Sequence, residues 1–377
     1  MKIPFTPSSG RSLGVEWELQ LVDMDTRELT SAAIEIIGDL YPGGAGEHAK
    51  IKHELLQCTI EVVTGVCRTV GEARADLRDS ARAVSEAAAA RNVGVMCAGT
   101  HPISHWLDQK ITPQPRYEEL VEELQWIARR FQIFGIHIHV GVGERDRVLP
   151  ILNALSGYIP HFLALTASSP YWIGNDTGLA SARSKVFEAL PRAGLPYQLS
   201  GWDQFERYMS TLVQAKAIES VREVWWDVRP HPDLGTVELR VCDGVPTLEE
   251  ITVVAALAQC LVEKFDRDLD AAVELPVPDA WLLRENKWRA ARFGLDAGLI
   301  VHDARSVVPV RKSLTDLVGE LMPIAHTLDC ADELRGVDRI LTIGPSYQRQ
   351  RAVAEASGGD LTKVVDSLLD EMASGLP

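Results

Sequence analysis

The chain has no Cys-x-x-Cys pair. Its six cysteines, Cys58, Cys67, Cys97, Cys242, Cys260 and Cys330, are scattered through 377 residues. That spacing excludes a recognisable zinc site or disulfide framework and reads as reduced thiols, mostly in the core, of a cytoplasmic protein. Runs of Lys and Arg are also missing, and the net charge is −15. That argues against nucleic acid or an anionic membrane surface as the main partner, while leaving room for a local basic pocket for phosphates. Neither a GxGxxG nor a GxxxxGK[ST] stretch occurs, which argues against a Rossmann or P-loop site. The longest apolar run, Ile251 to Val262, is too short to span a bilayer and is interrupted by Gln259. Met1 to Arg11 lacks the apolar centre of a signal peptide. Repeats, low-complexity tracts and linker-like shifts in composition are absent too. One domain over 1–377 is expected, sheet-rich over 1–245 and helical over 246–377.

What the sequence has is alternation. In Gly14-Val-Glu-Trp-Glu-Leu-Gln-Leu21, Val15, Trp17, Leu19 and Leu21 fall on one face of a strand, and Glu16, Glu18 and Gln20 on the other. The second half of His53 to Gly65 alternates likewise, as do Ile136 to Val140, between two glycines, and Thr236 to Cys242. Helical patterns cover Ala32–Leu40, Arg68–Arg91, Pro115–Arg130, Asp146–Leu165 and Trp202–Ala215, then about 247–273, 279–292, 311–328, 347–356 and 360–373. Tyr41–Gly46 and Ser168–Arg183 read as loops. The second is long and polar, with the composition of an adaptable wall over a small substrate. Early strands followed by helices predict an α+β fold, with an antiparallel or mixed sheet carrying helices on one face.

Four strands carry polar pairs at period two: Glu16/Glu18, Thr59/Glu61, His137/His139 and Glu238/Arg240. Side by side they make a surface of carboxylates, imidazoles and a guanidinium. It is either a solvated acidic face or a platform for hard divalent cations. His137, flanked by glycines that permit close approach, reads as a ligand, and His139 as its support. Glu54 is seven residues from Glu61, so on one regular strand the two face opposite ways. A bulge, or a place for Glu54 on the preceding loop, is needed to unite them. Arg240 suits a transferring phosphoryl group. Arg183 and Arg229 suit either the same task or ordinary ion pairs.

Taken in order, Gly14-x-Glu16-x-Glu18, Glu54-x6-Glu61, Gly135-x-His137-x-His139, Ser169-Pro-Tyr171 with Thr177-Gly178 and Arg183, Thr236-Val-Glu238-Leu-Arg240 and Glu285 to Gly294 resemble the glutamate–cysteine ligase type 2 family, and within it the carboxylate–amine ligase branch. The resemblance covers roughly residues 10 to 350. It implies a glutamine-synthetase-like fold with a curved, mostly antiparallel sheet. It also implies ATP-dependent joining of a glutamate-like carboxylate to an amine such as cysteine, forming a γ-glutamyl-type amide through an acyl phosphate with release of ADP and phosphate. Mg²⁺ or Mn²⁺ would lie between the triphosphate and the carboxylates. By similarity, Glu16, Glu18, Glu54, Glu61, His137 and Glu238 match metal-binding positions, and Glu238 and Arg240 the catalytic ones. Arg183, Arg229, Tyr171 and Thr177 are the candidates at the nucleotide. A homo-oligomer follows from the family's habit. Two other readings fit the same residues: a two-metal hydrolase, and a non-catalytic nucleotide- or metal-binding protein on this scaffold.

Overall fold

The structure, a computed structural model, describes residues 2–42, 48–301 and 306–376. The expected loop at Tyr41–Gly46 lies outside them from Gly43 onward. Seven strands form one antiparallel sheet: β1 (Leu13–Asp23), β2 (Ile51–His53), β3 (Thr59–Val63), β4 (Val93–Met96), β5 (Ile136–Gly141), β6 (Val228–His231) and β7 (Thr236–Leu239). Their order is β6-β7-β5-β1-β3-β2. β4 takes over the edge of β1 at Gln20–Asp23, beyond the stretch Leu13–Trp17 that β5 covers. Pro230, which has no N–H to donate, sits on the edge strand β6.

Alternation decides which face is core. Val15, Trp17, Leu19, Ile60, Val62, Ile136, Ile138, Val237 and Leu239 are all buried against helices. The helices Val70–Ala89 and Leu248–Asp270 pack on this face, capped by Thr69 and Thr247, whose hydroxyls accept from the N–H groups of Glu72 and Glu250. Gln259, the polar break in the apolar run, is buried. Its amide donates to the carbonyls of Arg11 (2.7 Å) and Arg68 (3.2 Å), satisfying loop backbone that would otherwise be orphaned. All six cysteines are buried and free. No single helix among the described residues is long and apolar enough to cross a membrane.

Several boundaries differ from expectation. The helix expected over Asp146–Leu165 is two, Arg145–Ser156 and Ile159–Thr166, meeting at 59°. Gly157 and Pro160 at the junction withhold helix propensity and an N–H donor. The helix expected over Pro115–Arg130 breaks at Gln125, whose φ is +49°. Ala331–Ile343 is a helix where none was expected. His53 to Gly65 is not one strand with a lead-in but part of a hairpin, with β2 and β3 pairing Lys52 to Glu61 and His53 to Ile60.

Candidate active site

Residues directly opposite each other in an antiparallel pair share a face. The register therefore lays out the polar face in rows. Glu18 faces Glu61, which faces Lys52. Glu16 faces His137. Arg229 faces Glu238, which faces His139, which faces Gly14. Glu54 continues β2 by one residue beyond His53, so the hairpin brings it to the face of Glu61. The odd spacing is cancelled by the turn, and no bulge is needed. This face is covered as well, for Glu61, His137, His139, Arg229 and Glu238 are all buried and Glu16 and Glu18 half-buried.

The contacts divide the carboxylates into two kinds. Glu16 is held by imidazoles: His137 Nδ1 lies 2.8 Å from its Oε2, and His139 Nε2 3.3 Å from its Oε1. Glu238 is held by guanidiniums. Arg229 grips it with Nε to Oε2 at 2.6 Å and Nη2 to Oε1 at 3.1 Å, and Arg240 donates to the same Oε1. Glu18 accepts the Gly135 N–H, and Glu54 the N–H of Leu55 at 3.1 Å. Glu61 is buried and, among the described residues, has neither a hydrogen bond nor an ion pair.

Acidity follows this division. Burial alone would raise the Glu16 carboxyl, but the His137 and His139 hydrogen bonds hold it well below its ordinary value. Burial works against ionised Glu238 too, and Arg229 and Arg240 outweigh it. Glu18 is pushed up to about 8, first by burial and then by the Glu54 charge. Burial also raises Glu54, and it raises Glu61 well above the carboxylate range with help from Glu16, Glu54 and Glu18. Burial and Arg240 lower His137 to about 4, so it is a neutral imidazole. At His139 burial is overcome by Glu238 and Glu16, which raise it.

Two sets of three donors can each close on one ion. Glu16, His137 and Glu238 present ligand atoms within 4.8 Å of one another, and so do Glu18, Glu61 and His137. The chemistry fits a hard divalent cation: oxygen donors, a neutral imidazole, and a buried carboxylate that no hydrogen bond or ion pair satisfies among the described residues. Glu54 lies outside both sets but close enough to raise Glu18 and Glu61.

The remaining candidates are placed differently. Arg240 keeps one guanidinium nitrogen, Nε, buried without a partner. Arg183 is buried beneath Gly135, where a Cβ would lie 2.8 Å from its Cζ, and donates to the carbonyls of Val241 (3.3 Å) and Arg240 (3.4 Å). Its Nε, like that of Arg240, is buried without a partner, whereas Arg229 also donates to the carbonyls of Arg222 and Val224 and is committed to protein. Tyr171 is buried in an apolar cluster with Phe134 and Val364, and Thr177 binds the Pro170 carbonyl at 2.8 Å; neither is hydrogen-bonded to the carboxylate rows. Asp243 was not foreseen. Fully buried, it accepts from Ser168 N (3.0 Å), Ser169 Oγ (2.6 Å) and Ser181 Oγ (2.8 Å), pinning both ends of the 168–183 loop just past β7. Its partners lie more than sixty residues upstream, and no local pattern announces them.

Comparison with known proteins gives one direction. The profile of glutamate-cysteine ligase family 2 (GCS2) matches residues 12–367. A protein of Frankia alni, provisionally named glutamate–cysteine ligase 2-1, is 57% identical over 378 residues, covering 100% of this chain and 99% of its own. A provisionally named glutamate–cysteine ligase 2 of Thermobifida fusca is 52% identical, covering 100% and 94%. Among solved structures, the fold matches glutamate–cysteine ligase of Francisella tularensis in complex with AMP at a TM-score of 0.64 and 13% identity, over 99% of this chain and 94% of that one. It matches a bifunctional glutathione synthetase of Pasteurella multocida at 0.67 and 14%, over 97% and 52%.

Proposed function

The chain belongs to glutamate–cysteine ligase family 2 and is a ligase, and from that premise we propose that it joins a glutamate-like carboxylate to an amine, cleaving ATP to ADP and phosphate through an acyl phosphate. The observation that carries the reading is the pair of three-donor sets meeting at His137, with Glu61 buried and unpaired in one of them. When bound there, Mg²⁺ or Mn²⁺ would neutralise the β- and γ-phosphates. Glu16, Glu18, Glu61, His137 and Glu238 would hold it, with Glu54 close by. In the first step a substrate carboxylate oxygen attacks the γ-phosphorus and the β–γ bridge breaks, ADP leaving with the electron pair. In the second the amine nitrogen attacks the acyl carbon, phosphate leaves with the carbon–oxygen electron pair, and the amine gives up its proton.

Arg240 has the geometry for the first step. Two residues from Glu238 on the same strand, it is oriented by that carboxylate and retains a donor for the equatorial oxygens. Arg229 serves by fixing Glu238, and Arg183 by filling the space under Gly135 that aims the Gly135 N–H at Glu18. Glutamate labelled with ¹⁸O in its side-chain carboxylate tests the chemistry, together with ATP, Mg²⁺ and an amine panel. One label should pass to inorganic phosphate. Label in AMP would exclude the acyl phosphate, and turnover without ATP would exclude a ligase.

A further inference from the structure

Glu285 to Gly294 stands out in the sequence, and the chemistry above makes no use of it. Most of it is the last two turns of the helix Ala280–Phe293. Within it Lys287 is buried, and its ammonium lies between two carboxylates: Nζ is 2.6 Å from Asp227 Oδ2 and 2.7 Å from Glu188 Oε1. Asp227, also buried, immediately precedes β6. Glu188 closes the short helix Arg183–Phe187 and is shared with Lys185 at 2.8 Å. One ammonium thus joins two segments that are distant in sequence, and both lead to Arg240.

The Arg240 N–H donates to the Asp227 carbonyl at 2.7 Å, extending the β6–β7 ladder by one residue. The Arg240 carbonyl accepts from Arg183 Nη2 at 3.4 Å. The helix that starts at Arg183 is clamped at both ends by one face of Ala280–Phe293. Lys287 holds its C-terminal end through Glu188. Ala291, one turn further along, accepts at its carbonyl the N–H groups of Ala180 (2.9 Å) and Ser181 (3.0 Å), just ahead of Arg183. Both backbone polar groups of Arg240 are therefore gripped by segments that Lys287 fixes. Stability does not account for this cluster, because the cost of desolvating buried charges offsets most of their attraction, and apolar side chains of the same volume stabilise as well or better. What short charge-assisted bonds supply is a defined position. Arg240 needs one, since a shift of about 1 Å is enough to cost a catalytic group much of its effect. We propose that Lys287 is a positioning residue for phosphoryl transfer: its ammonium fixes the Asp227 and Glu188 segments that hold the Arg240 backbone, and so aims the Arg240 guanidinium. This rests on the ligase reading above and adds a residue to it.

Hydroxylamine captures an acyl phosphate, so hydroxamate and ADP formed from ATP, Mg²⁺, glutamate and hydroxylamine report on the first step. Lys287→Met keeps the reach of the side chain and removes both ion pairs. Its kcat should fall about 10- to 100-fold, the usual cost of a misplaced catalytic group. The KM values for ATP and glutamate should move by less than about twofold. A mutant cycle with Arg240 separates positioning from a merely structural role. In an Arg240→Lys background, Lys287→Met should cost less than about twofold more, because the group it aims is already gone. The single variant leaves Asp227 buried and unpaired. Lys287→Met/Asp227→Asn removes that burden, while Glu188 keeps Lys185. This pair should resist denaturant as well as the wild type does, with kcat still low, and the same cycle run with it keeps the test intact where Lys287→Met alone does not fold. Three results would overturn the assignment: an unchanged kcat in Lys287→Met, an equal loss in both Arg240 backgrounds, or a kcat that returns with stability in the pair. A wild type that forms no hydroxamate would overturn the ligase reading and this inference with it.

Discussion

At the scale of single residues, Glu61 and Arg240 carry the sharpest expectations. A carboxylate buried without a partner is costly, and its raised pKa expresses that cost. Glu61→Gln keeps the shape and removes the need to take up a proton on folding. At neutral pH the metal-free protein should gain stability, about 1.4 kcal/mol for each pH unit above 4.5 through which the buried carboxyl stays protonated. Mg²⁺-dependent turnover should disappear. Thermal unfolding without metal, set beside ADP release with it, checks both, and a destabilised variant would mean that Glu61 has a structural partner. Arg240→Lys keeps a positive charge but loses the planar fork. Its kcat should fall about 100-fold or more, in line with the loss of a single transition-state donor. The KM for ATP should move little, and an equal rise in KM would show a binding role instead. Both residues were legible in the sequence, because period-two alternation places them on the polar face wherever the strands pair. Glu54 was not, since the turn between β2 and β3 reverses the parity that spacing alone suggests.

At the scale of elements, what the sequence concealed is close approach between distant segments. The helix Ala331–Ile343 went unrecognised because its Asp, Glu, Arg and Gly content looks like a loop. Gly336 is the reason the helix belongs there: a Cβ at that position would press on the side chain of Val253, so glycine lets the helix lie tightly along Leu248–Asp270. The 168–183 loop shows the same limit. Its composition suggests an adaptable wall, yet Asp243 holds both stems, and Gln350 binds the Ser168 carbonyl at 2.7 Å. The stems should therefore be protected from hydrogen exchange in the free protein. The tip, from Ile173 to Gly178, has left-handed residues and exposed Asn175 and Asp176, is held by the solvent-exposed Asp176–Arg351 pair (2.8 Å) and the Gly174 N–H on the Pro102 carbonyl (2.9 Å), and is the part expected to respond to ATP and glutamate. Equal protection changes at stem and tip would contradict this. Gly135→Ala belongs at this scale too. The added methyl collides with Arg183, which is buried and cannot swing away, so a loss of about 1–3 kcal/mol is expected in denaturant unfolding.

At the scale of the whole molecule, the sheet-rich and helical parts share one apolar cluster. Trp17 of β1 donates to the Val245 carbonyl at 3.2 Å, and Gln259 binds the loops at Arg11 and Arg68. Residues 1–245 and 246–377 should accordingly unfold in one transition, and two separated transitions would divide the chain into domains. The pH dependence of that transition reports on the site. Glu18 rises from 4.5 to about 8 on folding, so the folded chain holds a proton that the unfolded chain has lost. Stability must then fall as pH rises through this range, by about 1.4 kcal/mol per pH unit for each proton retained. His137, lowered from 6.5 to about 4, has the opposite slope below 6.5, so the clean window runs from 6.5 to about 8. There Glu61 and His139, both raised, act in the same sense as Glu18, while Glu16 and Glu238 stay ionised and add no slope. Buried thiols such as Cys58 and Cys242, raised from 9.0 to about 12, tilt the curve the same way at its upper end, but they do so with or without metal. Mg²⁺ separates the contributions, because it competes with protons only where carboxylates bind it. The gap in melting temperature between Mg²⁺-saturated and chelator-treated protein should widen steadily from pH 6.5 to 8. A gap that stays constant across that window would mean that the ion binds away from Glu18 and Glu61.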